Sequence, residues 1–327
     1  MFVAAYFIDG NPPEVAIKEP PADATRCTLE YLNEGGANFV FKIIVAENED
    51  RSCGARGKLL RLRKNLPHIP QTTDILDAYR RNFKDLFSAE HLLESELVRL
   101  DENLPVALGL ALRTITRPLH RAQDSLPSDE RHGLLVTDMT PKPGHVSLQL
   151  KPKWLAQSPS APANAKRCRT CALRAHRASR RIRTATDAQE CCPLDLVSED
   201  VEDRKRAARL VTADLALQDY LVDRAPPLLQ TLRRHQRELD PGGVFSASDT
   251  ASTFKLCKAM TLRDCTLFVN RSDSGIEARL GDLDLKQPEK MSKWKRVEQI
   301  LIDDGWYANA EDGSIWVQET TCQLSRL

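Results

Sequence analysis

Near the C-terminal end of the chain, Gly281-Asp282-Leu283-Asp284-Leu285-Lys286 alternates apolar and charged residues. That period predicts a strand with Leu283 and Leu285 on one face and Asp282, Asp284 and Lys286 on the other. Upstream, Asp264 stands just before the apolar run Cys265-Thr266-Leu267-Phe268-Val269, which reads as a buried strand. If the two strands pair, Asp264 joins Asp282 and Asp284 at one strand end. Carboxylates gathered in this way can hold Mg²⁺, which takes oxygen ligands and leaves room for phosphates. Lys286 beside them suits a phosphate oxygen. The alternative is a solvated strand edge, since charged residues are mostly exposed.

The rest of the chain must supply a core around that pair of strands. Its 327 residues allow two domains or one two-lobed unit. A formal net charge of +1 argues against a globally basic nucleic-acid binder and against an acidic tail. No apolar run reaches the ~20 residues of a membrane span, and the first residues lack the basic start of a secretory signal. Nine cysteines without such a signal point to free thiols in a reducing, intracellular compartment.

Residues 1–25, with Pro12, Pro13, Pro20 and Pro21, read as an irregular arm. Cys27–Leu32 and Phe39–Val45 read as strands around Gly35-Gly36-Ala37-Asn38, a hairpin whose backbone N–H groups can approach a phosphate closely. Gly57–Lys64 reads as a third strand, with Leu60 and Leu62 facing one way and Arg61 and Arg63 the other. Helical spacing is found at Thr73–Phe83, again from Glu90 through Leu92, Leu93, Leu97 and Leu100, and from Leu108 to Arg121. Leu134–Thr140 and Val146–Lys153 read as strands, the second ended by Pro152. Lys151 and Lys153 then leave the sheet on one side, as a phosphate clamp or as an exposed pair. In the basic run Lys166–Arg183, a helix would put Arg174, Arg177 and Arg181 on one face, suited to a polyanion or simply solvated. Cys168 and Cys171 with Cys191 and Cys192 raise a zinc reading, against which the adjacent second pair is poor ligand geometry. Helices are then predicted from Ser198 to about Val222, onward to Glu238, from Ser248 to Met260, and from Lys290 to Asp303 with Lys290, Lys293 and Trp294 on one face.

Taken in order, these stretches resemble the inositol-pentakisphosphate 2-kinase family. The resemblance is carried by Glu34-Gly35-Gly36-Ala37-Asn38, by Gly57-Lys58 through Arg61 and Lys64, and by Gln149-Leu150-Lys151-Pro152-Lys153. It continues through Cys168–Cys171, Pro193-Leu194-Asp195-Leu196, Thr261–Thr266 and Asp282–Lys286. It implies a two-lobed, distantly protein-kinase-like α/β (α+β) fold, with an N-lobe over 1–133 and a C-lobe over 134–327. The implied activity is ATP-dependent, Mg²⁺-assisted phosphorylation of the 2-hydroxyl of inositol 1,3,4,5,6-pentakisphosphate to the hexakisphosphate, phytate. By resemblance Asp264 is the catalytic carboxylate, with Lys151 beside it, and Asp282 and Asp264 hold the metal. Gly35, Gly36, Ala37, Asn38, Arg61, Asp138 and Gln149 are the nucleotide-side residues, and Lys153, Arg177, Lys286, Lys290 and Trp294 face the substrate. The chain departs from the family at Gln149, where a glutamate is usual, and at Leu173, where relatives place a substrate-facing histidine. The paired-asparagine segment has no counterpart between Leu217 and Leu232, and the zinc-bearing insert of plant members is absent. Two rival readings follow: an inositol-phosphate binder without turnover, and an RNA-binding protein that uses the basic run.

Overall fold

The computed structural model describes residues 2–9, 25–45, 55–179, 191–308 and 322–326, with backbone alone at 2–9 and 25–26. The chain gathers into two compact units, Met1–Arg81 with Leu93–Met139, and Asn82–Leu92 with Thr140–Leu327. The fold is mixed α/β, with antiparallel strands in both units.

In the first unit, β1 (Phe2–Asp9), β2 (Thr25–Glu34), β3 (Asn38–Val45) and β4 (Lys58–Arg63) precede α1 (Thr72–Asn82), β5 (Ser95–Leu100), α2 (Leu104–Leu112) and β6 (His132–Thr137). The strands close into an antiparallel barrel in the order β1-β2-β3-β4-β6-β5. Alternation along β4 decides what faces inward. Leu60 and Leu62 join Leu29, Phe39, Phe41, Val98 and Leu100 in the barrel core, with Leu104, Leu108 and Leu112 of α2 packed on it at helical spacing. Leu59, one residue out of phase, packs instead with Ile75 and Leu76 of α1. Gly133 in β6 makes room for the core, because a Cβ there would sit 2.7 Å from Leu60 Cδ1 and 2.9 Å from Leu62 Cδ2 and those side chains would have to shift.

Three expectations fail in this unit, the first two because the barrel closes through β1 and β5. The arm at 1–25 contains β1, whose Phe7 pairs with Thr25 of β2 and with Leu100 of β5. The helix expected from Glu90 to Leu100 is a short 3-10 turn, Ala89–His91, followed by β5, where Val98 and Leu100 point inward at strand period. The helix expected at Leu108–Arg121 is α2, begun earlier at Leu104 with Pro105 in its first turn and ended by Leu112.

The second unit holds β7 (Val146–Leu150), α3 (Arg169–Ala178), α4 (Val201–Val211), α5 (Leu215–Asp219), α6 (Pro226–Leu239), α7 (Thr250–Leu262), β8 (Thr266–Ser272), β9 (Gly275–Gly281) and α8 (Met291–Asp303). Its sheet runs β7-β8-β9, antiparallel throughout, with Thr266 opposite Gly281. The helix expected at 198–222 is two helices. Thr212 is extended, and the Asp214 side chain starts α5 by accepting from Leu217 N. Asp200, not Ser198, caps α4, and Asp249, not Ser248, caps α7 through a reciprocal pair with Ser252. The basic run is no continuous exposed stripe in its first part. Arg167 is buried and donates to Ala308 O at 2.9 Å; Arg169 is buried against Glu298 at 3.0 Å. Arg181 lies outside the described residues.

The glycine hairpin between β2 and β3 rests on a buried charge network. Lys64, wholly enclosed, meets the carboxylates of Glu34 at 2.5 Å and Asp124 at 2.6 Å, and Arg117 grips Glu34 at 2.8 and 3.1 Å. Burial pushes the Glu34 carboxyl up, but hydrogen bonds from Arg117 and Lys64 outweigh it and hold the group at about 2. Removing one partner of such a set leaves buried charge uncompensated. Glu34→Gln should lower the free energy of urea unfolding by about 3 kcal/mol. Because the native value lies below the ordinary ~4.3 of a glutamate, the Glu34 contribution is complete above that pH. It is lost as pH falls through about 2. Wild type should therefore lose more stability than Glu34→Gln on acidification, measured by unfolding in a pH series.

Candidate active site

Among the described residues, two with side chains adopt left-handed backbone, Lys153 and Asp282, each with φ of 58°. Such a conformation costs roughly 1–2 kcal/mol for a residue with a Cβ, and both positions lie just beyond strand ends. Lys153 follows β7 and Pro152; Asp282 is the first residue after β9. The turn at Asp282 ends the strand earlier than the alternating pattern predicts. Asp282, Asp284 and Lys286 therefore do not share a strand face. The segment is irregular and is held against the end of α7 by Thr261, whose hydroxyl accepts from Lys286 N at 2.9 Å and meets the Asp284 carbonyl at 3.4 Å. Leu283 is buried beneath it.

The two turns deliver their side chains to Asp264. Lys153 Nζ lies 2.9 Å from Asp264 Oδ1, and Lys286 Nζ lies 2.7 Å from Oδ2. Lys151 Nζ donates to the Asp264 carbonyl at 2.9 Å and reaches Asp282 Oδ2 at 3.4 Å. The Thr266 hydroxyl, at the start of β8, donates to the same Asp282 oxygen. Partial burial raises the Asp264 carboxyl, but Lys286 and Lys153 prevail and keep it well below the usual carboxylate range. Lys290 is shifted down by burial and then by Lys286 and Lys293, with Asp264 acting against them, so it stands in the field of the same group. Segments far apart in sequence thus place four lysines around two carboxylates. Such a site can hold a polyanion by charge-assisted hydrogen bonds, and its half-exposed carboxylates are hard oxygen donors suited to Mg²⁺.

A buried layer behind these residues was not legible in the sequence. Gln236 of α6 donates to Lys153 O at 2.9 Å and Leu262 O at 3.2 Å, and accepts from Leu155 N at 3.0 Å. Arg263, next to Asp264, turns inward to Asp240 at 2.6 Å, with its guanidinium 3.6 Å from the Trp154 ring centre. One polar glutamine in a helix and one arginine at the end of α7 gave no warning of this. Only the topology reveals that both face the core.

The remaining sequence candidates are placed as follows. Arg177 is exposed on the last turn of α3, and among the described contacts none joins it to Asp264. Trp294 is half-buried and packs with Met291 on Trp154, Val244, Ala247, Leu256 and Met260. Leu173 packs in the apolar cluster of Ala172, Leu301, Trp306 and Tyr307. Gln149 is exposed on β7 opposite Phe268. In the first unit, Gly35 N donates to Asn38 O at 2.8 Å to close the turn around Gly36 and Ala37, and Asp138 N donates to Gly57 O at 2.9 Å. Arg61 lies between Val40 and Leu134, on the face of β4 that Leu59 shares with α1.

The cysteines gather differently from the expected set. Sγ atoms of Cys168, Cys171, Cys192 and Cys322 all lie within 4.8 Å of one another, and Cys191 is not among them. Adjacent residues point their side chains apart, so Cys191 and Cys192 do not both reach one centre; the fourth thiol comes from the far end of the chain. No helix among the described residues is long and apolar enough to cross a membrane.

A barrel-containing unit, a second unit with a strand-end cluster of lysines and carboxylates, and a mixed α/β element order are consistent with a kinase-like α+β protein. Comparison with known proteins makes the assignment narrower. The profile of the inositol-pentakisphosphate 2-kinase family matches residues 31–218 and 212–300. A protein named inositol-pentakisphosphate 2-kinase from Yarrowia lipolytica is 29% identical over 303 residues, covering 84% of this chain and 91% of that one. One of the same name from Eremothecium gossypii is 29% identical over 160 residues, 47% of this chain and 53% of that one. The chain belongs to the inositol-pentakisphosphate 2-kinase family.

Gln236→Leu keeps volume but leaves the carbonyls of Lys153 and Leu262 and the amide of Leu155 without this partner. Each buried group so orphaned costs about 1–3 kcal/mol. The variant should unfold at lower urea and lose activity although residue 236 lies behind the cluster; urea titration beside steady-state kinetics checks both.

Proposed function

We propose that this chain is a kinase that uses Mg·ATP to phosphorylate the 2-hydroxyl of inositol pentakisphosphate, giving the hexakisphosphate. The observation that carries the reading is the Asp264 carboxylate held between Lys153 and Lys286, with Lys151 linking it to Asp282. The family and the names of its relatives supply the substrate.

Asp264 is kept ionised by its lysines. It orients the accepting hydroxyl and takes its proton late, once bonding to phosphorus has made that oxygen acidic. Lys153, Lys286 and Lys290 grip substrate phosphates. Lys151, on the Asp282 side, meets the charge of the transferred group. Asp282, with Asp264, holds Mg²⁺, which when bound neutralises nucleotide phosphate charge. The glycine turn at 35–38, Arg61, Asp138 and Gln149 serve the nucleotide, and Arg177 and Trp294 extend the substrate surface. We place the protein inside the cell, in nucleus or cytoplasm, where its nine cysteines stay reduced.

A second reading, binding without turnover, is favoured by Leu173, which packs in the α3–α8 core where relatives place a histidine. Incubation with Mg·ATP and inositol pentakisphosphate, with products resolved by anion exchange, separates the two. A hexakisphosphate peak supports the kinase. Calorimetric binding with no product selects the binder.

Two variants test the roles. Asp264→Asn should lower kcat by about 10²–10⁴, a larger change than any rise in KM, because the carboxylate acts chiefly in the transition state. Lys286→Met should raise the KM for the inositol phosphate at least about tenfold, the loss of one charge-assisted hydrogen bond. Lys166→Met, exposed and outside the cluster, should do little. Equal losses at both lysines, fading together with added salt, would indicate only diffuse charge.

A further inference from the structure

We propose that Thr261 is a positioning residue for this site: a single buried threonine fixes the main chain of both Asp264 and Lys286, so that Lys286 stands in place before a polyanion arrives. The proposal rests on the reading of the lysine cluster as the inositol-phosphate site.

Thr261 lies in the last turn of α7, shortly before Asp264, and is wholly buried. A helical threonine commonly returns its proton to the carbonyl four residues back, and here the hydroxyl donates to Cys257 O at 2.9 Å. By itself that bond would make Thr261 an ordinary core residue. It also uses the one proton the hydroxyl has and leaves the lone pairs to accept. Lys286 N donates to that oxygen at 2.9 Å. The Asp284 carbonyl, at 3.4 Å, is at the edge of reach and adds little.

The main chain of the same residue holds the other partner. Asp264 N donates to Thr261 O at 3.0 Å. Thr261 thus ties down the backbones of two residues whose side chains meet at 2.7 Å, Lys286 Nζ on Asp264 Oδ2. Such a tie is needed because Lys286 lies beyond β9, which ends at Gly281, and the ladder of the sheet does not extend to it. A long side chain on an untethered segment would have to be ordered at the moment of binding, at a cost in affinity. Lys153, on the other Asp264 oxygen, is supported separately, by Gln236 on its carbonyl at 2.9 Å. Loss of the Thr261 hydroxyl should therefore act through Lys286 and spare Lys153.

The test is calorimetric binding of inositol pentakisphosphate to the whole chain without nucleotide, so the result stands whether or not the hexakisphosphate is made. Thr261→Val keeps the shape and removes the hydroxyl. It should weaken binding about threefold to tenfold, the size of one hydrogen bond. Thr261→Ser, which restores the hydroxyl, should bind like wild type. In a Lys286→Met background, Thr261→Val should change affinity by less than about twofold, because residues that act as one are not additive. In a Lys153→Met background it should keep its effect. A threonine that only stabilised the fold would weaken both backgrounds alike, and that outcome would overturn the proposal. So would wild-type affinity in Thr261→Val beside a weakened Lys286→Met. Equal affinity of wild type and Lys286→Met would overturn the inositol-phosphate reading of the cluster, and this proposal with it. If Thr261→Val does not fold, Thr261→Ala in the same two backgrounds decides.

Discussion

Four ammonium groups gathered at one strand end repel one another unless anions stand among them. In this protein the anions are the carboxylates of Asp264 and Asp282, and much of the second unit serves to keep them there. Asp264 lies in the α7–β8 connection and takes Lys153 and Lys286 on its two oxygens. Asp282 follows β9 and takes Thr266 and Lys151. Pairing of Thr266 with Gly281 sets the two acids side by side. The lysines are thereby held in place for a polyanion before one arrives, so that less ordering remains to be done on binding.

The left-handed turns at Lys153 and Asp282 belong to the same design. Each is locally unfavourable, and each persists because its neighbours leave no alternative. Gln236 fixes the Lys153 carbonyl, and the Arg263–Asp240 pair stacked on Trp154 stiffens the floor beneath Asp264. Strain at the site and rigidity behind it are two aspects of one arrangement.

Most elements that carry a period could be read from the chain. The hairpin around Gly35, the alternation of Leu60 and Leu62, β8, and the amphipathic α1 and α8 all follow local rules. What local rules could not show depends on distant partners. β1 is a strand because β2 and β5 need a seventh-to-hundredth-residue pairing to close the barrel. The Glu90–Leu100 leucines fit either period, and barrel pairing chose the strand. The alternating Asp282–Lys286 stretch failed as a strand because Asp282 adopts a backbone conformation that its pattern does not encode. Within the site, the acids and lysines were visible as motifs. The inward glutamine and arginine were not, since polar residues announce themselves as surface. Cys322 was missed because its partner Cys192 is 130 residues away.

The closing strand of the barrel has a consequence for how the chain reaches its native state. β1 precedes both of its neighbours in the chain, and one of them, β5, lies about ninety residues further on, with Phe7 opposite Leu100. Until β5 arrives, β1 can pair only with β2, and one edge of that hairpin offers unsatisfied N–H and C=O groups to any strand nearby. Long-range pairing of this kind is slow to form. The growing chain therefore passes through a stage in which β1 shows an open edge until β5 is made, and the barrel stays open until β6 follows it between β4 and β5.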